Sequence, residues 1–95
     1  MKHGEFKTPG GKLIQVDFEV VDQALSNVLV SGDFFLYPEE AIGPISASIE
    51  GSPVGLAVDE RAAMIQRSIG ADVEWLGSSP IALATAIERA LTSND

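Results

Sequence analysis

The nine residues from Leu13 to Val21 leave little choice of conformation. Val16, Phe18 and Val20 alternate with Gln15, Asp17 and Glu19, a period of two that belongs to a pleated strand with one dry face and one wet. Asp17 and Glu19 share the wet face. They invite an acid–base reading, but alternation by itself makes them a solvated surface. Upstream, His3 to Thr8 forms a short strand, and Pro9-Gly10-Gly11 is a turn. Proline presets φ at the first central position, and glycine accepts the positive φ of a type II turn at the next. Lys12 after this glycine pair is no phosphate loop: the spacing is wrong, no Ser or Thr follows, and a strand rather than a helix comes next. Asp22 to Asn27 forms a connecting loop and Val28 to Ser31 a further strand. The first 35 residues are thus expected to make a three-stranded antiparallel meander.

The rest is helical in pattern. Pro38-Glu39-Glu40 opens a helix: Pro fits the first turn, where its missing N–H is not needed, and the carboxylates complement the helix dipole. Ile42, Ile45 and Ile49 fall on one face. Gly43-Pro44 interrupts this helix, by a kink or by a restart at Pro44, and Gly51-Ser52-Pro53 ends it. Val54 to Val58 is an apolar linker. Asp59 is expected to cap a second helix, with Ala62, Ile65 and Ile69 as its stripe, Met64 beside it, and Gly70 as a left-handed terminator. Asp72 to Leu76 is expected to be extended. Ser79-Pro80 starts a last helix that buries Leu83, Ile87, Ala90 and Leu91, and Thr92 to Asp95 is a frayed tail. The fold class is α+β, in one domain over residues 1–95: a three-stranded antiparallel sheet with two to four helices on one face.

Composition narrows the function classes. The chain has 14 acidic residues against 6 Lys and Arg, a net charge of −8, which repels phosphate backbones and anionic membrane surfaces. Neither nucleic acid nor membrane is expected as a partner, whereas a basic protein would be steered in. Cysteine is absent, which excludes disulfides, thiolate metal sites and a cysteine nucleophile. No apolar run reaches the roughly 18 residues a membrane span needs, and no apolar h-region follows Met1-Lys2-His3-Gly4-Glu5, so a cytoplasmic location is expected. His3 is the single histidine, near a terminus expected to be mobile, and assembles no zinc site or triad.

One stretch stands out. Phe34, Phe35 and Tyr37 place three of the six aromatic residues within four positions, between the turn signal Gly32-Asp33 and the helix opening at Pro38. Asp33 is expected to bond local backbone N–H groups. Phe34 and Phe35 point to opposite faces if the strand continues through them, so at most one of the two is free. A chain without a catalytic set and with aromatics beside a turn is built to bind. Asp33, Phe34, Phe35, Tyr37 and Pro38 form the candidate partner-binding set, and Lys12 is a weaker candidate for an anionic ligand.

Gly11-Lys12-Leu13-Ile14 and Gly32-Asp33-Phe34-Phe35-Leu36-Tyr37-Pro38-Glu39-Glu40-Ala41-Ile42 resemble the small accessory domain of lipoate–protein ligases. That domain is found at the C-terminus of one-chain enzymes or as the small subunit of two-chain ones. The likeness is firm in the first half of the chain and loose in the second, and Gly43-Pro44 departs from it. The resemblance implies a three-stranded sheet with helices on one side, similar to the iron–sulphur scaffold fold. It implies a non-catalytic subunit required for ATP-dependent activation of lipoate to lipoyl-AMP, before transfer to a lysine of lipoyl domains. Its partner would be the catalytic subunit, and indirectly the lipoyl-domain acceptors. ATP, Mg and lipoate would be used by the complex, with no cofactor bound by this chain itself. A free-standing module binding a small molecule or a protein is the alternative.

Overall fold

The computed structural model describes residues 1–70 and 72–92. Strands β1 (Lys2–Lys7), β2 (Leu13–Val21) and β3 (Ala24–Gly32) form an antiparallel sheet in that order. The turn between β1 and β2 closes through a 2.7 Å bond from Gly11 N–H to Thr8 O, with Gly10 at φ +73°. Ile14, Val16 and Phe18 are fully buried, as alternation requires. Val20 is 40% exposed, against expectation, although its cross-strand partner Leu25 is buried.

The expected loop at Asp22–Asn27 is strand from Ala24 onward. Asp22 and Gln23 form a two-residue turn with φ +52° and +64°, the mirror-image geometry that matches strand twist. Asn27, at φ +54°, is the extra residue of a bulge: Asp17 pairs with Leu29, but Glu19 pairs with Ser26. Polar residues at positive φ made this segment look like a loop.

After β3 the chain leaves the sheet and makes a short strand β4 (Phe35–Tyr37), then a 3-10 turn (Glu39–Ala41), α1 (Ile42–Ile49) and α2 (Val58–Ser68). Strand β5 (Glu74–Leu76) pairs antiparallel with β4, and α3 (Pro80–Thr92) comes last. Pro38 precedes the 3-10 turn as its cap instead of lying inside a helix. Gly43-Pro44 neither kinks nor splits α1. Both fall in its first turn, where proline's lost N–H has no intrahelical partner to forfeit. The segment before it is a single 3-10 turn.

Helix α2 is capped at Ala57, not Asp59, and the Glu60 carboxylate reaches back to accept from Ala57 N–H at 3.3 Å. Gly70 is no left-handed terminator; the helix ends at Ser68 and Ile69 is extended. Ser79 caps α3 as expected, its hydroxyl accepting from Ala82 N–H at 3.1 Å. Thr92 belongs to this helix, and the remainder of the expected tail, 93–95, lies outside the described residues.

The three helices cover one face of the sheet. Ile45, Ile49, Ile65, Leu83 and Ile87 meet Ile14, Val16, Phe18 and Leu25 in one core. Gly4 lets α3 approach β1 at Ala86 and Ala90, and the Arg89 guanidinium lies 4.9 Å from the Phe6 ring centroid. Arg61, 1% exposed, donates to Ser52 Oγ at 3.0 Å and Pro53 O at 2.8 Å, tying α2 to the loop after α1. Burial pushes its pKa down, against the pull of the Glu88 charge.

Candidate docking face

Gly32 and Asp33 turn the chain out of the sheet. Gly32 has φ +145°, and a side chain there would run into the Leu13 carbonyl, so only glycine fits. Asp33 N–H donates to Leu13 O at 3.0 Å. The expected role of the Asp33 carboxylate is not what holds the junction. It is exposed and makes no side-chain hydrogen bond among the described residues, and the backbone bond fixes the turn in its place. From this turn the chain enters the short strand β4 instead of passing directly into a helix.

Strand alternation then divides the aromatics. Leu36 points inward, 7% exposed, opposite Trp75. Phe34 is half-buried and stacks on Trp75, with centroids 6.1 Å apart and planes at 20°. Phe35 and Tyr37 point outward at 66% and 71% exposure, with Leu76, opposite Phe35, at 50%. One phenylalanine is thus a structural anchor and the other is free, as alternation demanded. Phe35, Tyr37, Pro38, Glu40 and Leu76 line a shallow groove of about 490 Å³. Three large apolar side chains thus stand side by side on a two-stranded ribbon, a contiguous exposed patch rather than scattered exposure.

Lys12 is brought to one end of this face. Its N–H donates to Gly77 O at 2.8 Å, one residue beyond Leu76, and its aliphatic stem lies over Gly77. Gly77 has φ +89°. The Lys12 ammonium takes part in no ion pair among the described residues. Asp33, Glu39, Glu40 and Glu74 are exposed around the ribbon, giving the apolar centre an acidic rim. Leu76 and Trp75 were missed as members of the site, although alternation in Glu74-Trp75-Leu76 already separates an inward from an outward residue.

Away from this face, polar side chains pair across the sheet. His3 lies within β1, not on a loose terminus. Its Nδ1 is 2.7 Å from the Asp17 carboxylate and its Nε2 is 3.1 Å from that of Glu5. Hydrogen bonds to Glu5 and then Asp17 raise its pKa above 6.5. Glu19 accepts from Asn27 Nδ2 at 2.8 Å. Among the described residues, no group of three or more His, Asp and Glu is placed to hold a metal ion, and no helix is long and apolar enough to cross a membrane.

The chain superposes on a solved chain of an archaeal lipoylation system from Thermoplasma acidophilum, described as a bi-partite lipoate protein ligase and its E2 lipoyl domain. The TM-score is 0.70 at 22% identity, over 92% of this chain and 94% of that one. The two chains share a fold. No protein-family model and no curated protein matches the sequence. The alignment runs over nearly all of both chains, so the likeness extends over the helices as well as the meander.

Proposed function

We propose that this chain is the accessory subunit of a two-chain lipoate–protein ligase, docking on a catalytic subunit through Phe35, Tyr37 and Leu76. The observation that carries the reading is the fold shared, almost end to end, with a chain from a bi-partite lipoate ligase system. The exposed apolar ribbon supports it, as does the resemblance of the Gly32–Ile42 stretch to the accessory family.

Lipoate, ATP and Mg would be handled by the partner, which activates lipoate to lipoyl-AMP and passes the lipoyl group to a lysine of a lipoyl domain. Adenylation needs water kept away from the reacting carboxylate and the nucleotide held in line. A docked domain supplies both by ordering its neighbour's loops and shifting it to the closed state. Asp33 and Pro38 set the two ends of the β4 strand, Phe34 stacks on Trp75 of the paired strand while both pack against the core, and Lys12 offers a cation at its margin.

The docking face is tested by titrating the chain into the catalytic lipoate-ligase chain of the same organism. Phe35→Ala and Tyr37→Ala should each weaken the complex about tenfold, as aromatic anchors do, with thermal unfolding unchanged. Equal affinity of both variants and the wild type would exclude this face as the docking surface.

A further inference from the structure

The outer edge of β3 is closed along one half and open along the other. Along the closed half, Val54 N–H donates to Gln23 O, Leu25 N–H to Ser52 O, and Gly51 N–H to Leu25 O. The Glu50 carboxylate then takes the N–H groups of Asn27 and Val28 at 2.9 and 3.0 Å. Beyond Val28 the cover stops. The bond from Asp33 N–H to Leu13 O fixes Leu13–Asp33 as a hydrogen-bonded pair, so Gln15–Ser31 and Asp17–Leu29 are too. Val30, and by the same alternation Gly32, therefore turn their N–H and C=O groups away from β2. Among the described residues nothing bonds them there.

This open stretch borders a groove of about 250 Å³. Val30 and Gly32 form one wall, Phe34, Phe35 and Leu36 another, with Ile42 and Glu39 on the remaining side. Unpaired strand edges recruit strands, and an apolar groove beside one receives every second side chain of the incoming segment. The groove carries a glutamate and no Lys or Arg, Glu50 stands where the cover ends, and the whole chain has net charge −8.

We infer that the open half of β3 accepts a short extended segment of alternating apolar and basic residues, added as a fourth antiparallel or parallel strand beside Val30 and Gly32. The donor is a segment of the catalytic subunit, which rests on the reading above. The added strand lies against Phe35, so strand addition and the aromatic face form one continuous interface. Backbone bonds fix its position and the acidic rim selects its charge.

Amide hydrogen exchange, resolved residue by residue by NMR, tests this on the full chain, free and bound to the catalytic lipoate-ligase chain. The Val30 and Gly32 amides should exchange at least tenfold more slowly in the complex, while Leu25, already bonded, changes little. Glu39→Lys should weaken the complex at least threefold at low salt and less at high salt. A complex in which Val30 and Gly32 exchange as in the free chain overturns strand addition and leaves the aromatic docking face standing. A Glu39→Lys variant of unchanged affinity overturns the basic character of the donor. Failure to form any complex overturns both proposals.

Discussion

At Gly4 the first strand and the last helix come as close as backbones allow. A Cβ there would overlap the Ala86 carbonyl and stand 2.7 Å from Ala90 N. Since these are backbone atoms and cannot rotate aside, Gly4→Ala should cost about 3 kcal/mol of unfolding free energy, the upper range of overpacking. Gly55 gives the opposite case: it lies exposed in the turn between α1 and α2, outside the left-handed region, and a Cβ meets nothing within 4 Å. Gly55→Ala should stabilise by about 0.5 kcal/mol. Urea unfolding of the two variants measures both signs. His3 adds a pH dependence. Its pKa is raised in the fold above 6.5, by Glu5 first and Asp17 second. Its contribution to stability is therefore full below about pH 6.5 and is lost as the pH rises through the raised value. The melting temperature should fall more between pH 6 and 8.5 in the wild type than in His3→Ala, with the difference reduced by salt because the pair is half exposed.

At the scale of elements, the bulge at Asn27 links the sheet to α1. Glu50, the residue just after that helix, accepts two successive strand N–H groups. Glu50→Ala should cost about 1–2 kcal/mol and speed exchange at the Asn27 and Val28 amides, leaving α3 untouched; hydrogen exchange reads the locality and urea unfolding the magnitude. The meander, the helix start at Ser79 and the split of Phe34 from Phe35 were all legible in the sequence, because period two and a Ser-Pro cap are local signals. The start of β3 was not, since Asp22, Gln23 and Asn27 adopt positive φ without glycine to mark it. The pairing of β4 with β5 was hidden for another reason: each is three residues long, and only tertiary contact between distant segments makes them strands. Arg61 escaped notice because its burial depends on Ser52 and Pro53 accepting from it, which no spacing within α2 announces. Of the candidate site, Phe35 and Tyr37 stand outward, Phe34 packs against the core, and Leu76 lies across the ribbon from Phe35.

For the whole molecule, the sheet and its helices form a body against whose core a small two-stranded ribbon packs its inner face, Leu36 with Phe34 and Trp75. The body also exposes apolar side chains, Val21, Leu29 and Ile81 among them, but the ribbon gathers Phe35, Tyr37 and Leu76 on one outward face. An apolar face of this kind gains only when something covers it. In the proposed function, the covering partner is a lipoate-activating subunit whose adenylation step depends on this chain. The direct measurement is lipoyl-AMP formation by the catalytic lipoate-ligase chain of the same organism, with lipoate, ATP and Mg, alone and with this chain added. Little adenylate is expected from the catalytic chain alone, a rise of at least tenfold with the wild type, and a smaller rise with a Phe35→Ala, Tyr37→Ala double variant that folds normally. Equal adenylate formation with and without this chain would contradict the claim.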